Sequence, residues 1–197
     1  FNGTSKAELE NNYIFETENL YFNRQGKRIY SDKPSTLKDE NDLVLKFKKF
    51  TFDLNEKILK VVKFNLVDVN KNTFNLDEAL ININNKEIIG KDAELYFDKN
   101  TFGNNENDPR LFGRSLSDNS EETLVYKGIF TTCKYRDNDD CPPWTIKAEQ
   151  VRHNKNKKTI EYKNAWLSLY DKPVVYFPFF FHPDPTVERQ SGLLMPV

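Results

Sequence analysis

The chain has 197 residues and a formal net charge of −1 at pH 7, so it lacks the positive field that draws proteins to nucleic acid. Only 38% of its residues are hydrophobic, although 14% are aromatic, and no run approaches the ~18 apolar residues of a membrane-spanning helix. Large apolar side chains spaced along polar segments favour a thin β-sheet over a compact ball.

Alternation of apolar and polar residues predicts β-strands along most of the chain. Segment 13–22 (YIFETENLYF) alternates first, followed by Leu45–Phe52 and Ile81–Ile83, and in part by Ala93–Phe97. Asn-, Asp- and Gly-rich turns separate the strands, among them NRQGK, DLNEK, NINNK and RHNKNKK. No segment longer than about ten residues keeps the apolar stripe of a helix. The sequence therefore predicts an all-β protein.

The strands recur as similar units. Residues 88–103 (IIGKDAELYFDKNTFG) resemble 144–160 (WTIKAEQVRHNKNKKTI), and 74–90 (FNLDEALININNKEIIG) is a weaker copy. Units of about 20 residues, each strand–turn–strand, cannot bury an apolar face alone and must stack. Stacked antiparallel hairpins predict an elongated β-jelly roll folded over as a β-taco, or a β-solenoid, with open strand edges at both ends.

Residues 104–124 (NNENDPRLFGRSLSDNSEETL) interrupt this pattern, because they hold few apolar residues and a proline. A stretch of this kind predicts a long loop that is either functional or disordered. The strands resume at Val125–Cys133.

The two cysteines, Cys133 and Cys141, flank the loop KYRDNDD. The two histidines do not complete the four-ligand spacing of a zinc site, so we predict no metal. We predict a disulfide of Cys133, either with Cys141 or with a cysteine outside this chain; free thiols in a reducing compartment are the alternative. A disulfide favours a periplasmic or extracellular location.

Arrangements that support catalysis are not evident in the sequence. Gly113-Arg114-Ser115 lacks the closing glycine of a nucleophile elbow, and the glycines are scattered singly instead of forming a phosphate loop. His153 and His182 have no acid or nucleophile at a telling spacing. We therefore predict a protein that is not an enzyme and takes no cofactor.

Four motifs follow one another between residues 125 and 197. They are Thr132-Cys133 after a strand, Trp-x-Ile-x-Ala at 144–148, Asn-Ala-x-Leu at 164–167 and Pro-Val-x-Tyr-x-Pro-Phe at 173–179, and RQSGLLMP (189–196) comes after them. In this order they resemble the LptD (OstA) family of lipopolysaccharide-assembly proteins. Residues 12–103 resemble the family only through the general repeat.

The resemblance implies an OstA-like β-jelly roll over residues 1–187, on the periplasmic face of the outer membrane. Residues 188–197 would be the junction to an outer-membrane β-barrel, and since the chain starts at Phe1 without a signal peptide we expect a fragment that lacks the barrel. Lipopolysaccharide would pass along the roll into the barrel. The segment PVVYFPFFFHPDP (173–185) would be the last strand of the roll at the bilayer surface, and its prolines would hinder further strand pairing.

Lipid A acyl chains need a dry apolar groove, which the inward-facing residues of a rolled sheet supply. The alternative for each such residue is a place in a packed core. The residues expected to line the groove are Phe64, Leu66, Ile81, Ile83, Ala93, Leu95, Phe97, Ile146, Ala148, Leu167, Leu169, Tyr176 and Phe180.

The partners implied by the resemblance are lipopolysaccharide, the outer membrane, an LptE-like lipoprotein reached through the barrel, and an LptA-like bridge protein. The bridge protein would add a β-strand at the N-terminal edge, at the strand Tyr13 to Phe22. Two other functions stay open: a freestanding periplasmic bridge protein of the same fold, which has no use for the aromatic segment 173–196, and a β-solenoid polysaccharide-active enzyme, which needs clustered acids that the sequence does not show.

Overall fold

The computed structural model describes residues 2–8, 13–39, 43–102, 106–134, 142–184 and 187. It divides into two compact units, unit 1 (Phe1–Leu95) and unit 2 (Tyr96–Val197). Within the described residues the regular structure is 15 β-strands and one short 3-10 helix, Lys99–Phe102. Every strand pair whose register is defined is antiparallel. The predicted all-β fold of the jelly-roll or β-taco class is confirmed.

The strands of unit 1 are β1 (Asn2–Glu8), β2 (Ile14–Asn19), β3 (Tyr21–Asn23), β4 (Arg28–Ser31), β5 (Ser35–Lys38), β6 (Val44–Phe47), β7 (Lys49–Asp53), β8 (Ile58–Val67), β9 (Thr73–Asn82) and β10 (Glu87–Tyr96), whose last residue belongs to unit 2. Those of unit 2 are β11 (Arg110–Asp118), β12 (Glu122–Thr131), β13 (Trp144–Asn154), β14 (Thr159–Leu169) and β15 (Lys172–Pro183). In unit 2 each strand from β11 to β15 pairs with the next one along the chain.

The predicted turns share one local design. An Asn or Asp side-chain oxygen at the first position accepts a hydrogen bond from a backbone N–H two or three residues later, and a lysine with positive φ closes the turn. The accepting residues are Asn23, Asp53, Asn82 and Asn154, and the closing residues are Lys27, Lys57, Lys86 and Lys158. At Asp53 the bond from the Glu56 N–H, followed by the bond from the Arg28 side chain, lowers the pKa of the carboxyl.

In the long strands the alternation of buried and exposed residues is interrupted near the middle of the strand. On β14 the buried residues Tyr162 and Ala165 are separated by two residues instead of one, and Asn164 between them has φ 51°. Lys127 on β12 is also left-handed, with φ 50°. We call the line through Lys127, Glu149, Asn164 and Pro178 the crease, and the strand face that carries Tyr162 and Ala165 the inner face. The crease divides β12 to β15 into two halves that share this face.

Unit 1 closes over an aromatic core. The ring of Phe15 on β2 stacks on Phe50 of β7 at 4.7 Å and 8°, and it also contacts Phe47 and Phe52. β2 and β7 lie on different branches of the sheet, since β2 pairs with β1 and β5 whereas β7 pairs with β4 and β8. All four rings are buried, and burying one phenylalanine side chain stabilises by about 1.5–3 kcal/mol.

The N-terminal edge differs from the prediction. β1 pairs with β2 from Asn2–Asn19 to Glu8–Ile14, so the first part of the segment Tyr13–Phe22 already has a neighbour on each side. Among the described residues of unit 1, the strands with one neighbour are β1 and β3. The expectation that Tyr13–Phe22 is an open edge holds only for its end, in β3.

The prediction of a long loop at residues 104–124 is also wrong, because this segment contains β11 and the start of β12. β11 turns Leu111 and Leu116 into the core. The crease continues between them at Arg114, opposite Lys127, with Gly113 beside it. Two apolar residues on opposite sides of a crease do not show the two-residue period, so the sequence pattern did not predict β11. The predicted unit of about 20 residues is likewise too short, since β13 and β14 have 11 residues each before their turns are added.

Candidate functional site

The inner face of unit 2 carries a cross-strand row of apolar residues on one side of the crease. Phe130 pairs with Ile146, Ile146 with Leu167, and Leu167 with Val175, which takes the row from β12 to β15. Phe130 is 8% exposed, Ile146 and Leu167 are half-buried, and Val175 is 42% exposed. The row therefore becomes more accessible towards β15.

Neighbouring residues widen this surface. Trp144 pairs with Leu169 on the same face, and its ring lies 6.1 Å from that of Phe130. Phe177 continues the surface on β15, because it pairs with the inward Ala165. We define the open apolar face as the surface of Phe130, Trp144, Ile146, Leu167, Leu169, Val175 and Phe177. An exposed apolar surface of this kind favours contact with an apolar ligand, at roughly 25 cal/mol for each Å² removed from water.

The other half of the inner face is held by an aromatic stack. Tyr162 is 1% exposed, and its ring stacks on Phe180 at 4.5 Å and 7°. The Tyr162 hydroxyl shares a hydrogen bond of 3.2 Å with Nε2 of His182, whose Nδ1 lies 2.7 Å from the carbonyl oxygen of Pro183. Burial raises the pKa of the Tyr162 phenol. These contacts fasten the second half of β15 to β14.

Polar groups surround the end of β15. Nε2 of His153 on β13 lies 2.5 Å from Oδ2 of Asp184, and the Asp184 N–H donates to the carbonyl of Lys158. Arg152 forms ion pairs with Glu122 and Glu161 on the neighbouring strands. The hydrogen bond that its Nε donates to the Glu122 carboxylate is the main cause of the raised pKa of Arg152. The apolar inner face thus ends at charged and polar groups on this side.

The residues predicted to line the groove fall into different environments in unit 1. Five of them are buried in its core: Phe64, Ile81, Ile83, Ala93 and Leu95. Leu66 is half-buried, where it pairs with Leu45 and Phe74. The core of unit 1 is packed by its own side chains at the five buried positions.

In unit 2 the predicted residues lie closer together. Ile146, Leu167 and Leu169 belong to the open apolar face, Ala148 is buried beside them, and Phe180 lies across the crease. Phe97 is half-buried, and its N–H donates to the carbonyl of Pro109 before β11 begins.

Tyr176 is not on the inner face, contrary to its predicted orientation. It pairs with Trp166 on the outer face, with ring centroids 5.0 Å apart, and its hydroxyl donates to Asn164 Oδ1 at 3.0 Å. The prediction placed Tyr176 and Phe180 on one face by simple alternation, but the crease at Pro178 lies between them and shifts the alternation by one residue. Phe177 takes the inward position instead.

The sequence reasoning missed Phe130, Trp144, Val175 and Phe177 on the open apolar face. A signal for the crease is present in the sequence as two consecutive polar residues between inward ones: LDEA (76–79), GKDA (90–93), AEQV (148–151) and YKNA (162–165). Counting the inner face separately on each side of such a pair gives the correct orientation of these side chains.

Cys133 is half-buried, and it forms no disulfide within the described residues. Its carbonyl accepts a hydrogen bond of 2.7 Å from Nη1 of the buried Arg110, and its N–H donates to Thr131 Oγ1. Cys141 lies outside the described residues, so the disulfide stays a prediction.

The described part of the chain holds one further surface feature of note. A surface pocket of about 560 Å³ in unit 1 has Pro34 and Phe47 in its lining, together with the charged residues Glu16, Glu18, Lys46, Lys48 and Lys63. The described residues contain no group of three His, Cys, Asp or Glu side chains that suits a metal ion. They also contain no helix with the length and hydropathy to cross a membrane.

The amino-acid sequence of the chain is similar to known proteins. No family model matches the chain. The LPS-assembly protein LptD of Idiomarina loihiensis is 27% identical over 189 residues, which are 95% of this chain and 21% of that protein. Proteins of the same name from Yersinia pestis and Aeromonas hydrophila are 32% and 34% identical over 81 and 86 residues, 41% and 42% of this chain and 10% of each of those proteins. The chain is similar in sequence to LptD proteins, along most of its length in the match to Idiomarina loihiensis.

The match to LptD of Idiomarina loihiensis extends the resemblance beyond the motifs of residues 125–197, because 95% coverage includes residues of both units. The chain spans only about a fifth of that relative and a tenth of the other two, as the shares of 21% and 10% state. The common name of these LptD proteins describes the assembly of lipopolysaccharide.

Proposed function

We propose that this chain is the periplasmic domain of an outer-membrane lipopolysaccharide translocon, and that its open apolar face shelters lipid A acyl chains. The observation that carries the proposal is the row from Phe130 to Val175, an apolar surface on the inner face whose exposure rises towards β15. The similarity to LPS-assembly proteins supports the choice of ligand.

The shape of the surface suits transport better than storage. Each acyl segment that covers the face removes apolar area from water, and about 25 cal/mol for each Å² holds it there. The contacts are spread over successive strands instead of concentrated in one deep cavity. An acyl chain therefore exchanges its contacts with one strand for equivalent contacts with the next strand, and no single position binds it too tightly.

The direction of movement follows the exposure of the strands. β15 carries exposed apolar side chains on both faces, such as Val175 on the inner face and Tyr176 on the outer face. A strand of this kind suits a position beside the bilayer. The proposed junction to a β-barrel with its LptE-like lipoprotein, residues 188–197, lies outside the described residues. This exit favours a translocon domain over a freestanding bridge protein. The role requires no catalysis or cofactor.

The five buried residues of unit 1 have a different role in this proposal. They stabilise the unit, and they would contact acyl chains only after the facing side chains separate. An LptA-like bridge protein would add its strand to β1 or β3, the strands of unit 1 with one neighbour among the described residues.

Photo-crosslinking in living cells tests the proposal. A crosslinking residue at Leu167, on the open apolar face, is expected to capture lipopolysaccharide. Its neighbour Trp166 is 43% exposed on the outer face and serves as the matched control, with little or no capture expected. Equal capture at both positions, or capture at Trp166 alone, contradicts the proposal.

A further inference from the structure

A second cross-strand row of unit 2 lies beside the crease, and it consists of small residues except at its last position, on β15. Gly128 pairs with Ala148, Ala148 with Ala165, and Ala165 with Phe177. Gly113 on β11 begins the row, because it lies opposite Gly128. The neighbouring pair, Phe112 with Ile129, fixes this register. Four successive strands therefore have glycine or alanine at this inner position, and β15 has phenylalanine.

The small residues make room for a side chain of the following strand. A Cβ atom on Gly113 would lie 2.1 Å from Val125 Cγ1, and a Cβ atom on Gly128 would lie 2.7 Å from Val151 Cγ2. Val125 belongs to β12 and Val151 to β13, in each case one strand later and across the crease. The inner side of the crease is thus filled in steps by large residues that cover small ones.

Phe177 is the large residue of this row, and among the described residues no strand of unit 2 follows β15 to cover it. It is 36% exposed. Its ring touches Phe180 across the crease, with centroids 5.4 Å apart, whereas Phe180 is fixed by its stack on the buried Tyr162. Of the two rings, Phe177 is the one with space to move.

We propose that Phe177 is a gate that closes the inner crease where acyl chains leave unit 2, which rests on the function proposed above. With its ring against Phe180, the end of the crease is blocked. Rotation about the Phe177 side-chain torsion opens it, and this motion breaks no hydrogen bond between β14 and β15. Side-chain rotation of partly exposed residues is fast compared with turnover, so the gate adds a small barrier without trapping the lipid.

Unloading kinetics of the full-length protein test the gate. The protein is loaded with lipopolysaccharide, and an excess of acceptor vesicles is added. Samples are irradiated at successive times, and the fall in the yield of crosslinked product at Leu167 gives the unloading rate. Phe177→Ala removes the ring and is expected to accelerate unloading at least threefold. Phe177→Trp enlarges it and is expected to slow unloading by a similar factor. Ile129→Ala, on the outer face, is expected to leave the rate unchanged.

The outcomes separate the gate from the proposed function. Unloading that is unchanged or slower in Phe177→Ala, while the wild type is crosslinked at Leu167, overturns the gate and leaves the function intact. Absence of any crosslink at Leu167 in the wild type overturns both. If Phe177→Ala does not fold, the Phe177→Trp variant decides, since a rate equal to or above that of the wild type contradicts the gate.

Discussion

The buried ring of Tyr162 stacks on Phe180, while its hydroxyl shares a hydrogen bond with His182, so one side chain fastens two positions of β15. Tyr162→Phe keeps the ring stack and removes the hydroxyl. We expect a loss of about 1 kcal/mol in the free energy of unfolding, the usual net contribution of one hydrogen bond. Tyr162→Ala also removes the ring and should lose about 3–5 kcal/mol. Urea unfolding measures both, and equal losses in the two variants would show that the stack contributes nothing.

The buried phenol of Tyr162 also predicts a pH dependence. Burial raises its pKa in the folded chain, whereas in the unfolded chain it ionises near pH 10. Above about pH 10 the unfolded state binds fewer protons than the folded state, so the free energy of unfolding falls as the pH rises. The contribution is complete below that pH. Tyr162→Phe should lose stability less steeply than the wild type, by up to about 1.4 kcal/mol per pH unit.

Unfolding midpoints between pH 9 and about pH 11.5 measure this difference. Tyr126→Phe is the control, because Tyr126 is exposed on the outer face. It should follow the wild type. A Tyr162→Phe variant with the same slope as the wild type would mean that the phenol titrates equally in both states.

The left-handed residue Lys127 tests the crease. A β-branched side chain tolerates φ 50° poorly, whereas glycine adopts it freely. Lys127→Val should therefore be less stable than Lys127→Gly by about 1–2 kcal/mol. Chemical denaturation of the two variants gives the difference. Lys127→Val as stable as Lys127→Gly would indicate regular strand conformation at this position and remove the crease from β12.

Gly113 tests the close approach of β11 and β12. Gly113→Ala places a methyl group against Val125 and should destabilise by about 1–3 kcal/mol. The same substitution should have a smaller effect in a Val125→Ala background, because the clashing methyl group is then gone. Gly26→Ala is the control, since the nearest atom to its added Cβ is 3.7 Å away. Thermal or urea unfolding of the four variants completes the cycle, and additive effects would argue against the contact.

The fold class and the turns were predictable because each rests on local sequence. The Asx turns at Asn23, Asp53, Asn82 and Asn154 combine an accepting side chain with a closing lysine, and the strands between them alternate. β11 was not predictable in this way, because Gly113 contributes no side chain to the alternation and the crease shifts the period between Leu111 and Leu116.

The candidate site was predictable only within one half of a strand. Ile146 and Ala148 lie on one side of the crease, as do Leu167 and Leu169, and each pair shares the inner face as expected. The pair Tyr176 and Phe180 spans the crease, and only Phe180 faces inward. The exposure of the inward-facing residues could not be predicted from the sequence. Whether an inward residue is buried, as Leu95 is, or accessible, as Val175 is, depends on which strands cover it.

The two tryptophans of the chain allow the most direct test of the central claim that acyl chains occupy the inner face. Trp144 belongs to the open apolar face and Trp166 to the outer face, so Trp144→Phe and Trp166→Phe each leave one reporter. Lipopolysaccharide with a short-range fluorescence quencher on its acyl chains is titrated into both variants. The account predicts that Trp144 emission is quenched and Trp166 emission is not. Equal quenching of the two, or quenching of Trp166 alone, would contradict it.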